Sequence, residues 1–297
     1  MNRRDLFLLS TAMGLTAALP KIGNAKPQQA LPNPLRPPAE GSIPVAFLLS
    51  DGAVVIDFAG PWEVFENVSI PGRTPEQVFQ PYTVAETAGP IRASGGMTIV
   101  PEYTFATAPV PKIIVIPAQS APSDAMIAWV KQVAQTADLT MSVCTGAFLL
   151  AKTGLLSGKS ATTHHGAYTQ FMMEFPDVSL KRGARYVESG KLASSGGLSS
   201  GIDLALRVVE RYFGRSVALN TADVLEYQGQ GWLNPDSNTA YAKRRVSTDR
   251  HPLCAVCEME VDKATAPSTV YRGKTYYFCM NDHKEAFLAQ PEKYLAL

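Results

Sequence analysis

One cysteine has a sequence context that is typical of a reactive thiol. Residues 139–143 have strand-forming composition, this pattern stops at Cys144, and Thr145-Gly146 leads at once into helix-forming residues at 147–152. The pattern predicts a strand–nucleophile–helix elbow. In such an elbow a tight turn presents the thiol, and the positive end of the helix dipole favours the thiolate, the form that attacks electrophiles. The alternative is a small cysteine buried in the core.

The C-terminal residues contain a second set of chemically active side chains. Cys254 and Cys257 form a Cys-x-x-Cys pair, and Cys279 and His283 are four residues apart, so they project from one face if a helix starts there. Thiolates together with one imidazole suit Cu(I) or Zn(II). The alternative is a disulfide, either Cys254–Cys257 or Cys257–Cys279, which an oxidising compartment favours.

The N-terminus has the pattern of an export signal. Residues 1–25 combine a charged head that contains Arg3 and Arg4 with an uncharged apolar run at 6–19, and the small residues at 23–25 suit a cleavage site. The run is too short to span a membrane comfortably, and it resembles a twin-arginine signal peptide. We therefore expect a periplasmic protein without a stable membrane span.

Composition divides the rest of the chain. The length of 297 residues is enough for one substantial core and a small satellite domain, and 46% hydrophobic with 18% charged residues is the composition of a globular protein. The formal net charge of +1 provides no basic surface for nucleic acid. Residues 26–42 are proline-rich and predict an extended linker, and residues 229–250 have the composition of a second linker. The folded units are therefore expected at 43–228 and 251–297.

Strand-like and helix-like segments alternate in the first of these units. Candidate strands lie at 45–49, 82–86, 113–117, 140–143 and 161–164, candidate helices at 123–137, 168–175 and 204–213, and a hairpin at 184–188 and 191–194. This alternation predicts an α/β fold in which helices cover both faces of a mostly parallel sheet. Pro61 suits the first turn of a helix, which places Asp57 just ahead of it.

Four motifs in this order resemble one superfamily. They are DFAGP (57–61), VCTGA (143–147), GLLSGKSATTH (154–164) and GGLSSGID (196–203). They resemble the PfpI type of the class I glutamine amidotransferase-like superfamily, and within it the isonitrile hydratase branch and the amidase-like domains of AraC-type regulators. The resemblance spans roughly residues 43–228. It implies a flavodoxin-like three-layer sandwich, usually dimeric, with an acidic residue from the first strand–helix loop beside the elbow cysteine.

The isonitrile hydratase pattern implies roles for three residues. It makes Cys144 the nucleophile, Asp57 the neighbouring acid and base, and Thr145 the source of a hydroxyl and a backbone N–H. An isonitrile carbon is electrophilic toward thiolate once an acid delivers a proton, and the thioimidate that forms is hydrolysed with help from a base. Asp57 can serve both steps if burial raises its pKa. The alternative role of Asp57 is to cap the helix near Pro61.

Two departures from the family pattern concern the surroundings of the thiol. PAQSA (117–121) stands where family members commonly have a Pro-Gly-Gly-type turn, which removes the usual basis for an oxyanion-type donor pair. His164 is followed by a second histidine rather than by an aromatic residue, so we expect His164 to be a core or interface residue rather than a catalyst. Because threonine, not histidine, follows Cys144, peptidase activity ranks low.

Residues 251–297 resemble a YHS domain, a module that pairs a small strand hairpin with a helix and is associated with heavy-metal handling. In that family the positions of Cys257 and Cys279 are the usual cysteines, and His283 stands where a second cysteine often follows. Cys254 is an addition to the pattern. The expected metal ligands are therefore Cys254, Cys257, Cys279 and His283, with Cu or Zn as the metal.

These features favour an exported, cysteine-dependent, homodimeric enzyme that adds water to an isonitrile or a similar small electrophile. Its α/β domain would need no cofactor, its partners would be a small-molecule substrate and a metal ion, and its C-terminal module would be accessory. The alternative is a non-catalytic periplasmic protein that binds or senses metal. An amidase or peptidase fits less well, and so does a transcriptional regulator, because no helix-turn-helix segment follows the α/β domain.

Overall fold

The computed structural model describes residues 33–243 and 246–295. The expected signal peptide at 1–25 and the first part of the expected linker at 26–42 lie outside these residues. None of the helices in the described part of the chain combines the length and the apolar character that a membrane crossing requires.

The described chain alternates strands and helices and ends in a small separate group of elements. The strands are β1 (Ile43–Leu48), β2 (Phe79–Ala85), β3 (Ile91–Arg92), β4 (Thr98–Ile99), β5 (Tyr103–Thr104), β6 (Ile113–Ile116), β7 (Leu139–Val143), β8 (Ser160–Ala161), β9 (Ser179–Leu180), β10 (Tyr186–Ser189), β11 (Leu192–Ser195), β12 (Ser268–Tyr271) and β13 (Lys274–Tyr277). The helices are α1 (Val55–Glu66), α2 (Asp124–Val133), α3 (Gly146–Lys152), α4 (Tyr168–Glu174), α5 (Ser200–Phe213), α6 (Arg215–Val224), α7 (Asn281–Ala289) and α8 (Pro291–Leu295).

Seven strands form the central sheet in the order β10-β11-β7-β6-β1-β2-β5. All neighbouring pairs are parallel except β10 and β11, which form the predicted antiparallel hairpin. The predicted α/β fold with a mostly parallel sheet and a small C-terminal module is confirmed. Because the chain runs from β1 to β2 on one side and continues from β6 to β7 on the other, the strand order reverses between β1 and β6, the place where such sheets bind ligands.

The central strands are buried on both faces, which explains their continuous apolar composition. In β1, Val45 and Phe47 pack against α1, α5 and α6, whereas Ala46 and Leu48 point to the opposite face and pack against α2 and α3. Side chains alternate across a strand, so each face of the sheet acquires its own helical layer.

The first helix begins earlier than the sequence predicts. Helix α1 begins at Val55, so Asp57 lies in its first turn and Pro61 lies inside the helix rather than in the first turn. No side chain of the preceding residues caps α1. Instead, the Val55 N–H donates to the hydroxyl of Ser94, at 3.1 Å, from a distant loop. The alternative role of Asp57 as a local cap is therefore wrong, because its carboxyl bonds another loop.

Residues 229–243, which composition marks as part of a linker, are fastened to the α/β domain. Trp232 is buried, and its N–H donates to Asp203 of α5 at 2.9 Å. The Trp232 carbonyl accepts a hydrogen bond from the Tyr186 hydroxyl at 2.8 Å. This segment therefore forms part of the domain surface near the C-terminal end of the sheet.

The C-terminal module consists of the β12–β13 hairpin and helices α7 and α8. Arg272 and Gly273 connect the two strands, both with positive φ, which is the geometry of a tight two-residue turn. The small core of the module contains Val256, Phe278 and Phe287. Because this core is small, a metal ion or another cross-link would add to the stability of the module.

Candidate functional site

The elbow predicted at Cys144 is present and its backbone is strained. Cys144 follows β7 directly and has φ 58°, a left-handed conformation that is unfavourable for a residue with a side chain. Two hydrogen bonds hold it there: the Cys144 N–H donates to the Gly196 carbonyl at 3.0 Å, and the Thr163 hydroxyl donates to the Cys144 carbonyl at 2.9 Å. Strain that neighbouring loops maintain at one cysteine is typical of a functional site.

Gly146 allows the helix after the elbow to approach the sheet. A Cβ atom at this position would lie 2.1 Å from the Ile116 carbonyl oxygen and 2.8 Å from that of Pro117. No side chain fits there without moving the backbone of β6 or α3. The glycine of the Cys-Thr-Gly sequence therefore sets how closely Cys144 lies to the loop after β6.

Asp57 is fully buried beside the elbow. One carboxyl oxygen, Oδ2, accepts a hydrogen bond from the Ala118 N–H at 3.1 Å, whereas Oδ1 is buried without a conventional hydrogen bond among the described residues. Burial raises the pKa of Asp57 from 3.8 to about 6, against the opposing effects of the Ala118 N–H and the Cys144 thiol. Asp57 is therefore a carboxylate at neutral pH that takes up a proton readily.

The Cys144 thiol is protonated at rest, because burial and Asp57 outweigh the start of the helix, which was expected to favour thiolate. Burial, followed by the negative charge of Asp57, raises the pKa of Cys144 to about 12. The backbone N–H groups of Thr145 and Leu198 lower the pKa of Cys144, but by less than burial and Asp57 raise it. The resting pair is therefore a thiol beside a carboxylate, and attack requires the thiol proton to move.

Leu198 supplies a donor that the sequence analysis missed. Its N–H interacts with both the Cys144 thiol and the Asp57 carboxyl and lowers the pKa of each. Leu198 has φ 53°, and it follows the glycine pair 196–197 of the fourth motif. This positive φ aims an amide at the sulfur. The Pro117–Ala121 turn contributes only the Ala118 N–H, and that donor is bound to Asp57 rather than facing the sulfur.

Thr145 lies at the rim of a cleft next to the elbow. It is half-buried at the start of α3, and its hydroxyl does not cap that helix. The cleft has a volume of about 330 Å³, and it lies between the loop after β6 and helices α3 and α4, with Gln119, Lys152 and Glu174 among its walls. The Thr145 N–H interacts with the Cys144 thiol, and the residue itself lines the cleft.

His164 lies near the elbow but does not pair with Cys144 in the hydrogen bonds of the described structure. Contrary to the predicted strand at 161–164, β8 ends at Ala161, and His164 precedes a short 3-10 turn. Its Nδ1 accepts the Gly166 N–H at 3.1 Å, and its ring stacks against that of His165 with 4.3 Å between centroids. Burial and His165 lower the pKa of His164.

The four predicted metal ligands meet in the C-terminal module. Their ligand atoms all lie within 4.8 Å of one another. Three of the distances are 3.6 Å between the sulfurs of Cys257 and Cys279, and 3.5 and 3.1 Å from His283 Nδ1 to the sulfurs of Cys254 and Cys279. All four cysteines of the chain are free thiols in the structure, so neither alternative disulfide is formed.

The donor set fits a tetrahedral soft-metal site. Two sulfurs bound to one Zn(II) lie about 3.8 Å apart, close to the Cys257–Cys279 distance. The Cys257 thiol and nearby backbone N–H groups lower the pKa of Cys254, so one sulfur is stabilised as thiolate. Helix α7 begins only at Asn281, so Cys279 precedes the helix instead of sharing a helical face with His283. The turn before the helix brings both residues to the cluster nevertheless.

Glu258 connects the module to the α/β domain. It follows Cys257 of the four-residue cluster, is buried and has φ 60°. Its carboxylate accepts a hydrogen bond from the Thr169 hydroxyl of α4 at 2.8 Å and pairs with Arg182 at 3.5 Å. Arg182 also donates to the Ala242 carbonyl at 3.0 Å. A single arginine therefore contacts both the module and the 229–243 segment.

Comparison with known proteins agrees with this architecture. Residues 44–211 match the DJ-1/PfpI family, and residues 255–297 match the YHS domain. The chain is 30% identical over 191 residues to an isonitrile hydratase of Pseudomonas putida, covering 63% of this chain and 79% of that protein. It is 24% identical over 181 residues to the HTH-type transcriptional regulator CdhR of Pseudomonas aeruginosa, covering 60% of this chain and only 53% of the regulator.

Solved structures share the fold. A ThiJ/PfpI family protein from Pseudomonas syringae superposes with a TM-score of 0.57 at 23% sequence identity, covering 72% of this chain and 84% of that one. Identity this low supports the fold and not the reaction. The DJ-1/PfpI match includes more than half of the residues, and the sheet and the elbow agree with it. The cysteine–histidine cluster agrees with the YHS match. The chain therefore belongs to the DJ-1/PfpI family and carries a C-terminal YHS domain.

Proposed function

We propose that the protein is a cysteine-dependent hydratase of isonitriles or closely similar small electrophiles. The observation that carries the proposal is the pairing of a strained, protonated Cys144 with a buried Asp57 whose pKa is raised to about 6. A carboxylate held in this state accepts a proton at neutral pH and returns it. The similarity to an isonitrile hydratase supports the same reaction class.

In the first step Asp57 takes the thiol proton as the sulfur approaches the isonitrile carbon. A bond forms between Sγ and that carbon, and Asp57 delivers the proton to the same carbon, which gives a neutral thioimidate. The N–H groups of Leu198 and Thr145 stabilise the sulfur while it carries negative charge. The raised pKa of Cys144 then has a role, because a buried sulfur with a high pKa is a strong nucleophile once its proton has moved.

In the second step Asp57 removes a proton from water that attacks the thioimidate carbon. The carbon–sulfur bond breaks, the nitrogen gains the proton that Asp57 removed from water, and the sulfur takes the second proton of that water, which restores the thiol. The product is a formamide, and the overall change is the addition of one water molecule to the isonitrile. We assign the orientation of this water to the Thr145 hydroxyl, and the support is that Thr145 is half-buried and lines the cleft.

Turnover of a simple alkyl isonitrile tests the proposal. We expect the wild-type protein to release the formamide, detected by proton NMR. In samples quenched with acid during turnover, the peptide that contains Cys144 should carry the added mass of one isonitrile molecule. The hydratase proposal is wrong if the protein converts no alkyl isonitrile. The role of Cys144 is wrong if Cys144→Ala converts the isonitrile at an undiminished rate.

A second function is favoured by the C-terminal cluster. We propose that Cys254, Cys257, Cys279 and His283 bind one soft transition-metal ion, Zn(II) or Cu(I), because three sulfurs and one imidazole nitrogen lie within 4.8 Å of one another. Such an ion would cross-link the two ends of a module that has a small core. A metal-binding or sensing protein without turnover remains the competing account if no isonitrile is converted.

We also propose export by the twin-arginine route and a homodimeric state. The support for export is the sequence pattern at 1–25 alone, and the support for a dimer is the resemblance to the PfpI type. Expression of the full chain in a bacterium with and without the twin-arginine translocase tests the first, since periplasmic protein should require the translocase. Light scattering of the purified chain tests the second, because a dimer should have twice the mass of one chain.

A further inference from the structure

A cavity of about 140 Å³ lies beside the loop that contacts the thiol. Three of its wall residues touch Cys144. The Gly196 carbonyl accepts the Cys144 N–H, the Thr163 hydroxyl bonds the Cys144 carbonyl, and the Leu198 N–H interacts with the thiol. The hydration steps use none of the side chains in this cavity, although three of its wall residues contact Cys144.

Two hydrogen-bond donors in the cavity wall have no acceptor among the described residues. Because His164 Nδ1 accepts the Gly166 N–H, the neutral ring carries its proton on Nε2. The hydroxyl of Ser199 accepts a hydrogen bond from Arg185 at 3.1 Å, which leaves its own proton to donate. Both residues line the cavity.

The charged side chain in the cavity wall, like these donors, favours a ligand that accepts hydrogen bonds. Arg185 lines the wall and is held by Asp203, through a 2.6 Å hydrogen bond, and by Asn238, at 3.3 Å. No carboxylate side chain is among the lining residues. A wall with donors and a guanidinium favours an uncharged or anionic hydrogen-bond acceptor and disfavours an ammonium group.

Aromatic rings limit the size of this ligand. His165 stacks on Tyr241 with 4.6 Å between ring centroids, and Tyr241 belongs to the 229–243 segment that packs on the domain. The two rings form one side of the cavity. The space accommodates a group of a few non-hydrogen atoms, such as an ester, an amide or a carboxylate, but not a long chain.

We propose that this cavity binds a hydrogen-bond acceptor of the substrate, so that the preferred isonitriles carry a carbonyl, ester, amide or carboxylate group within a few atoms of the isonitrile carbon. The acceptor takes hydrogen bonds from Ser199 Oγ and His164 Nε2 while the isonitrile carbon lies against Cys144. This inference rests on the proposed hydratase function and specifies its substrate class.

The turnover test compares methyl isocyanoacetate with n-butyl isocyanide, which has a similar length and no oxygen. We expect the wild-type kcat/KM to be about tenfold higher for the ester, and Ser199→Ala to reduce this ratio about five- to tenfold, the effect of one hydrogen bond. Ser157→Ala is the matched control, because Ser157 is exposed and does not line the cavity. A wild-type ratio near one, or a ratio that Ser199→Ala leaves unchanged, overturns the inference.

A binding measurement keeps the inference testable if the protein does not turn over isonitriles. In Cys144→Ala protein, calorimetry should give a lower Kd for methyl isocyanoacetate than for n-butyl isocyanide, and adding Ser199→Ala should remove the difference. That result without turnover would defeat the hydratase proposal and keep the cavity assignment. Equal Kd values, or no binding of either compound, would defeat the cavity assignment even where hydration occurs.

Discussion

The Asp57 carboxyl interacts directly with the Cys144 thiol, and the N–H of Leu198 lowers the pKa of both groups. Asp57 comes from the first turn of α1, which follows β1, Cys144 from the elbow after β7 and Leu198 from the loop after β11. Three segments that follow the C-terminal ends of parallel strands therefore meet beside one thiol. A buried carboxylate held against a thiol destabilises the fold, and this arrangement is explained by proton transfer between the two groups.

Replacing Asp57 by asparagine is expected to abolish activity and to stabilise the fold. Removing the acid and base should lower kcat at least about a hundredfold. Because burial raises the pKa of Asp57 from 3.8 to about 6, its carboxylate destabilises the folded state at neutral pH by up to about 3 kcal/mol. Urea denaturation at pH 7.5 should therefore show a larger free energy of unfolding for Asp57→Asn than for the wild type.

Because the pKa of Asp57 is higher in the folded state than in the unfolded state, the difference in stability between the wild type and Asp57→Asn depends on pH. Relative to Asp57→Asn, the wild type is at its most stable below pH 3.8, where Asp57 is protonated in both states, and it loses stability as the pH rises toward about 6. The free energy of unfolding of Asp57→Asn should thus exceed that of the wild type by an amount that grows between these pH values and then levels off. Asp177→Asn, at an exposed position, is the control and should change stability by less than about 0.5 kcal/mol. A destabilised Asp57→Asn would contradict the account.

Activity should follow the ionisation of Asp57. The first step needs Asp57 as carboxylate and Cys144 as thiol, so kcat/KM should rise with pH through an apparent pKa of about 6 and remain on a plateau through neutral pH. The pH profile of isonitrile hydration measures this directly. A rate that rises only near the ordinary pKa of a free thiol would show that a pre-formed thiolate, rather than the Asp57–Cys144 pair, carries the reaction.

Gly146→Ala is expected to destabilise the fold by about 3 kcal/mol or more. Its Cβ would lie 2.1 Å from a backbone oxygen of β6, which no side-chain rotation relieves. Gly89→Ala is the matched control, because its Cβ would make an ordinary contact at 3.7 Å to Thr87, and the change should be within about 1 kcal/mol. Thermal unfolding of the two variants measures the difference. Equal stability would mean that α3 packs less tightly on the sheet than described.

Metal analysis tests the C-terminal cluster. The full-length protein should bind one Zn(II) or Cu(I) per chain, and Cys257→Ser and His283→Asn should each weaken that binding by about tenfold or more. Cys144→Ser replaces a thiol outside the cluster and should leave the metal content unchanged. The disulfide alternative predicts instead that the metal-free, unreduced protein has lost two hydrogens by mass and two titratable thiols.

The sequence predicted the features that depend on side-chain patterns. The alternation of strand-like and helix-like segments predicted a mostly parallel sheet with helices on both faces, and the spacing of Cys254, Cys257, Cys279 and His283 predicted the cluster. These features follow from side-chain type and spacing, which can be inspected in the sequence.

Other parts of the site depend on contacts between distant residues. The Leu198 and Ala118 donors are backbone groups, which every non-proline residue carries, so their direction depends on the folded loops. The start of α1 was missed because Ser94, not a preceding residue, satisfies the Val55 N–H. The protonation of Cys144 was misjudged because burial and the charge of Asp57 outweigh the nearby N–H groups.

The most direct test of the central claim compares two identical substitutions in one chain. Formamide production from methyl isocyanoacetate should fall about a thousandfold or more in Cys144→Ser, because serine is a much poorer nucleophile at this position. Cys279→Ser, in the C-terminal cluster, should remain within about threefold of the wild-type rate. Equal rates for the wild type and Cys144→Ser would contradict the assignment of Cys144 as the nucleophile.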